Sequence, residues 1–398
     1  MHASVERPFS VRQWQAALAV AFLTFGGLML ARFPYATPYD NYVILANALL
    51  HGHVWVATPG AWIDALPHHG TNYIIEGPLP AILLLPAVAV WGLQTNQTLL
   101  SYLLTALATA AGWELARRLG VPWRSRIALT LFLLLGTDLL FCGVFGDVWY
   151  IAHVSAACFT LLALVELRGS QRGWLVMLFA ACAAFSRFSL VLAIPVYAWL
   201  LWREGSPERR RAQLAGFAAV GVAAAAIWVS YNYARWGVWY DIGYTAWYHQ
   251  DQVGQPTGSP FRLEYLPMQL RAFFLSAPEF SSTYPYVSPT QWNLALTFTS
   301  PALLLAFLAR GPVALVVALW IATVLTAAPN FFYYVTGFTQ FGMRHALDFE
   351  PFLFALMCLA ARNGLRWWGF ALCAYSALAG AWGVWFWMTF VRPLSPHG

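Results

Sequence analysis

The chain has 398 residues, 60% of them hydrophobic and only 10% charged, with a net charge of +6 and a mean hydropathy of +0.59. Soluble domains carry about a quarter charged residues, so this composition excludes a soluble globular enzyme and points to an all-α, polytopic membrane protein. All 22 basic residues are arginine. That removes Schiff-base and P-loop lysine chemistry, and it makes the positive balance a topology signal, with no nucleic-acid partner expected.

In chain order, Arg7 and Arg12 precede an apolar run that reaches Ala31, read as an uncleaved first span entering from the cytoplasm. The stretch from Tyr35 to Pro80 follows. It holds three carboxylates (Asp40, Asp64, Glu76) and four histidines (His51, His53, His68, His69) in a chain with 16 acidic residues. Such a density in the first loop of an apolar protein predicts chemistry or ion binding there.

The run 79–93 decides the topology, because it is short and carries Pro80 and Pro86. If it lies on the membrane surface, thirteen arginines between Arg117 and Arg366 fall in cytoplasmic loops; if it spans, all of them fall outside. The positive-inside rule selects the surface placement. The first external loop then runs over 32–97, with surface helices near 39–50 and 79–92. Spans follow at 98–116, 127–145, 151–167, 174–187, 188–202, 213–233, 291–309, 313–331, 346–361 and 367–389, eleven in all. The segment 174–202 is predicted as two short helices with Arg187 at their outer tip. A second external loop, 237–290, is rich in Tyr, Trp, Gly and Pro. The chain reads as one domain over 1–398, and its five scattered cysteines read as packing residues.

Asp40 follows Pro38 near a predicted helix start, where it is either a helix cap or a base held at the interface. Asp147 is predicted at the outer end of the third span, as a metal, sugar or acceptor contact; Glu76 precedes the second surface helix and can contact the acceptor. His68 and His69 lie in the loop and, with a carboxylate, are a second candidate for a metal. Gln340 and Arg344 are four apart, so on a helical turn they share a face, as Asp348 also does. Arg344 is therefore either a phosphate clamp or the partner of Asp348. Gly337 and Gly342 would let backbone approach a ligand.

Five segments together resemble the GT-C membrane glycosyltransferases, in particular family 39-like enzymes of the protein O-mannosyltransferase and aminoarabinose transferase type. They are TPYDNY at 37–42, EGPLPAILLLP at 76–86, FGDVWY at 145–150, FSRFSLVLAIP at 185–195 and QFGMRHALDFEP at 340–351. The chain departs from that pattern where Asn41 replaces the second acid after Asp40 and where Leu79 separates Pro78 from Pro80. The resemblance implies transfer of a sugar from a polyprenyl-phosphate donor to an acceptor glycan, lipid or protein, on the extracytoplasmic face of a bacterial-type plasma membrane. Asp40 would be the general base, and Arg344, Arg187 and Gln340 would hold the donor phosphate. In related oligosaccharyltransferases an acid placed like Asp147 ligates a metal, so a divalent cation is a candidate cofactor; no organic cofactor is expected. On the residues alone, a transporter or flippase and an external acyltransferase or polymer ligase stay open. A transporter would be expected to show paired broken helices and ionisable groups at mid-membrane, whereas here the acids cluster at the outer ends and Asp138 is the only one well inside a predicted span.

Overall fold

The computed structural model describes residues 11–33, 35–57, 65–290, 292–337 and 340–392. Arg7 and Asp64 lie outside these described residues. The protein is built from helices with two small hairpins. Apolar runs become helices because, away from water, a helix satisfies its backbone within one segment.

The first row of helices is α1 (Val11–Arg32), α4 (Gln97–Arg118), α7 (Val148–Leu167), α8 (Gly173–Ser186) and α10 (Pro207–Trp236), each packed on the next. The second row contains α5 (Trp123–Leu135), α16 (Trp367–Phe386), a 3-10 stretch (Pro301–Leu308), α15 (Glu350–Ala360) and α14 (Val313–Phe331). Contacts of α4 with α5 and of α7 with α15 join the rows over one continuous apolar core. Between α1 and α4 lie α2 (Asn41–Leu50) and α3 (Leu79–Trp91), which pack together. Between them lies a hairpin, β1 (Ala65–His68) and β2 (Thr71–Ile74), that the sequence reading treated as loop. His69 and Gly70 both have positive φ, the geometry of a two-residue hairpin turn.

Six described helices are long and apolar enough to cross a membrane, or seven if one bent pair is a single span. The expected span 127–145 is that pair: α5 and α6 (Leu139–Phe145) meet at 48° across Gly136–Asp138. The segment 291–309 is not one helix. It forms α13 (Leu296–Thr299) and then the 3-10 stretch, with a break at Ser300. The 174–202 segment does turn back on itself. α9 (Ile194–Glu204) brings Glu204 to Arg168, while Gly173, at the start of α8, packs on the Gln213 carbonyl. Arg187 is therefore at a turn. The external loop carries α11 (Gly243–Gln250), α12 (Leu266–Phe274) and the hairpin β3 (Glu279–Phe280) and β4 (Val287–Ser288).

The polar residues gather in two layers. One contains the ends of α4, α7 and α9 and the residues after α15: Arg118 donates to Val165 O, Arg168 pairs with Glu204, and Arg362 donates to Leu119 O. The other contains the starts of α2, α4, α7 and α15 and the ends of α8 and α14.

Candidate functional site

The second layer centres on Asp348, a fully buried carboxylate. Burial without partners would cost several kcal/mol, and three segments supply four donors. His153 Nδ1 is 2.8 Å from Oδ1; Ser189 Oγ donates to Oδ2 at 2.7 Å, Asn330 Nδ2 at 3.1 Å and Arg187 Nη2 at 3.2 Å. Arg187 Nη2 also lies 3.4 Å from both Asn330 Oδ1 and His345 Nδ1. Its Nη1 makes no hydrogen bond among the described residues, and its side chain is 16% exposed. Arg187 is thus held along one edge and open at the other.

The Arg344–Asp348 pair allowed by sequence spacing does not form. Residues 340–343 are not helical, and the 3-10 turn begins at Arg344, so the four-residue spacing no longer stacks the side chains on one face. Arg187 takes Asp348, and Arg344 Nη1 donates to Gln340 Oε1 at 2.8 Å. Gln340 is fixed in turn by bonds to the Trp292 and Thr336 carbonyls. The two glycines lie close against neighbouring side chains. Gly342 has φ +65°, and a Cβ there would fall 2.1 Å from Asp138 Oδ1; one at Gly337 would meet the Gln340 amide.

Asp147 is buried at the start of α7, where Thr37 Oγ1 donates to Oδ1 at 2.6 Å and Arg392 pairs with Oδ2. The Val148 N–H donates to Tyr39 O at 3.1 Å, and the Tyr39 ring packs on Trp149 at 4.8 Å. These bonds hold the segment 37–40 against the start of α7. Asp40 occupies the position before α2 but makes no side-chain capping bond, so the cap role does not hold. It is half-buried, and desolvation raises its pKa. Asn41 beside it is fully buried, with neither amide atom hydrogen-bonded among the described residues.

Glu76 is buried where the chain leaves β2. Gly77 packs so tightly on the Phe185 carbonyl that a Cβ would lie 2.1 Å from it, which sets Glu76 beside the turn that carries Arg187. Glu76 and Arg187 act electrostatically on the same two tyrosines, Tyr42 and Tyr244.

His68 and His69 are not brought to these groups. They sit at the β1–β2 turn, 4.1 Å apart edge to face, with His68 against Tyr73 and Trp236. Partial burial, with His69 as neighbour, lowers the pKa of His68. Among the described residues no three His, Cys, Asp or Glu side chains converge as a metal ion requires. Asp147 is committed to Thr37 and Arg392, and His153 to Asp348.

His153, Ser189, Asn330 and Arg392 were not singled out in the sequence. Ser189 carried the only local signal, two residues after Arg187; His153 and Asn330 lie within apolar runs. No protein-family model, curated protein or solved structure matches the chain.

Proposed function

We propose that the chain is a membrane glycosyltransferase that moves a sugar from a polyprenyl-phosphate donor to an acceptor hydroxyl on the extracytoplasmic face. The supporting observation is a half-buried, uncapped carboxylate, Asp40, in the same polar layer as Arg187, whose Nη1 is unbonded. The chemistry follows. Asp40 takes the proton of the acceptor hydroxyl as its oxygen bonds to the anomeric carbon. The bond from that carbon to the donor phosphate breaks, and the phosphate leaves with the electron pair. Arg187, oriented by Asp348, meets the growing phosphate charge through its open edge, and Arg344, braced by Gln340, adds a second cation. Asp147 shapes the wall behind Asp40, and Glu76 faces the acceptor side. No step is assigned to a metal.

The same reading carries eleven crossings, with the α8–α9 hairpin and the short 296–308 and 350–360 segments counted as passes and the arginine layer in the cytoplasm. Cysteines placed at Asn72 and Ser206 then label from opposite faces; labelling from one face overturns the topology.

A transporter of lipid-linked or small solutes is the second reading. It is favoured by the break at Asp138 in the α5–α6 pair, near a buried Glu350 whose two oxygens meet no donor among the described residues. Purified protein supplied with a polyprenyl-phosphate sugar and a cell-envelope extract separates the two. Release of polyprenyl phosphate supports transfer, whereas solute uptake into proteoliposomes without that release supports transport.

A further inference from the structure

A groove of about 590 Å³ runs between α1, the α5–α6 bend and α16. Its walls are apolar, with Leu28, Leu140, Val144 and Trp385 prominent, and one charged residue, Arg32, joins the lining. Asp40, Arg187, Arg344 and Gln340 are not part of it. Arg32 is 1% exposed and has no carboxylate partner among the described residues. Its Nη2 donates to Arg392 O at 2.9 Å, its guanidinium lies over the Tyr35 ring at 4.2 Å, and its Nε donates to nothing described. The hydroxyl of Tyr102, in electrostatic range of Arg32, also has no acceptor. A buried cation in the wall of an apolar groove on membrane-crossing helices, whose Nε has no acceptor among the described residues, matches an anionic phosphate attached to a hydrocarbon chain; the Tyr102 hydroxyl lies outside the lining.

We infer that this groove seats one anionic phospholipid of the surrounding bilayer, with a chain between α1 and α16 and its phosphate on Arg32. The site is separate from the donor-phosphate residues and does not depend on the proposed transfer. Arg32 is bonded to Arg392, and Arg392 to Asp147, so the lipid also braces the wall that carries Asp40.

The test is native mass spectrometry of the full chain, delipidated in detergent and titrated with phosphatidylglycerol or phosphatidylcholine of matched chains. The wild type should retain one phosphatidylglycerol at least about tenfold more tightly than phosphatidylcholine, a difference of about 1.4 kcal/mol. Arg32→Gln should bind the two lipids equally. A Cβ at Gly27, in the groove wall, meets nothing within 4 Å, so Gly27→Leu should fold, fill the groove and lose both lipids. Equal retention of the two lipids by the wild type overturns the inference, as does an unchanged preference in Arg32→Gln or undiminished binding in Gly27→Leu. Displacement of phosphatidylglycerol by an equimolar polyprenyl phosphate, lost in Arg32→Gln, would assign the groove to the carrier lipid and overturn the phospholipid assignment.

Discussion

The two polar layers satisfy their charges in opposite ways. In the arginine layer most pairs are local. Glu114 holds Arg117 and Arg118, three and four residues on, each at 2.7 Å, and Glu166 holds Arg172 at 2.9 Å. Arg126 ends on the Val121 carbonyl five residues back, while Arg362 reaches the carbonyl of Leu119 on a distant segment. In the other layer the bonds are long-range: Asp348 to Arg187 and His153, Asp147 to Arg392 and Thr37. Buried groups there still lack partners, among them Arg32 Nε and the Asn41 amide. Local pairs at helix ends are cheap, although Arg126 Nε and Arg168 Nε in this layer also lack partners among the described residues. Long-range buried pairs are costly, because removing either partner leaves the other charge buried and unpaired.

The largest contrast should appear on breaking the centre of each layer. Asp348→Ala leaves Arg187 buried without its carboxylate, and stability should fall by about 3–5 kcal/mol, read as a lower unfolding midpoint in detergent. Because the pair is Arg187–Asp348, a double-mutant cycle should give strong coupling between those two positions and little between Arg344 and Asp348. Strong Arg344–Asp348 coupling would contradict the observed pairing.

Arg344→Lys probes the same layer more gently. Lysine keeps the charge but cannot reproduce the planar fork braced by Gln340. Donor binding should survive, while turnover falls by about tenfold or more. Loss of folding with unchanged turnover in the folded fraction would make Arg344 purely structural.

The smallest effect belongs to the arginine layer. In Glu114→Gln, Arg118 keeps the Val165 carbonyl and Arg117 stays partly exposed, so the cost should be about 1–3 kcal/mol, below that of Asp348→Ala. Turnover should be unchanged. A large loss of activity would remove the functional distinction between the layers.

The helices, α2 and α3 among them, and the turn at Arg187 were legible because they depend on apolar run length and on proline and arginine placement. The span count was less legible, since the bend at Gly136–Asp138 and the 3-10 stretch at 301–308 lie inside apolar runs whose composition is that of straight helices. Of the site, Asp40, Asp147, Glu76, Arg187 and Arg344 were named, but not who binds whom. The choice of Arg187 over Arg344 by Asp348 depends on a non-helical turn at 340–343, which spacing arguments assumed to be helical. His68 and His69 drew attention as a pair, yet hairpin pairing carries them to Trp236.

The central claim is that Asp40 acts as the base in the long-range layer. Its direct test is release of polyprenyl phosphate by wild type and Asp40→Asn across pH, from a polyprenyl-phosphate sugar with a cell-envelope extract as acceptor. A base must be deprotonated, and desolvation raises this carboxyl above its ordinary value. Wild-type turnover should therefore fall as pH drops through that raised pKa, with an acid limb above the usual aspartate range. Asp40→Asn should lose roughly 100-fold or more in turnover and lose the limb, while still binding donor. A folded Asp40→Asn protein with near-normal turnover and the same acid limb would contradict the account.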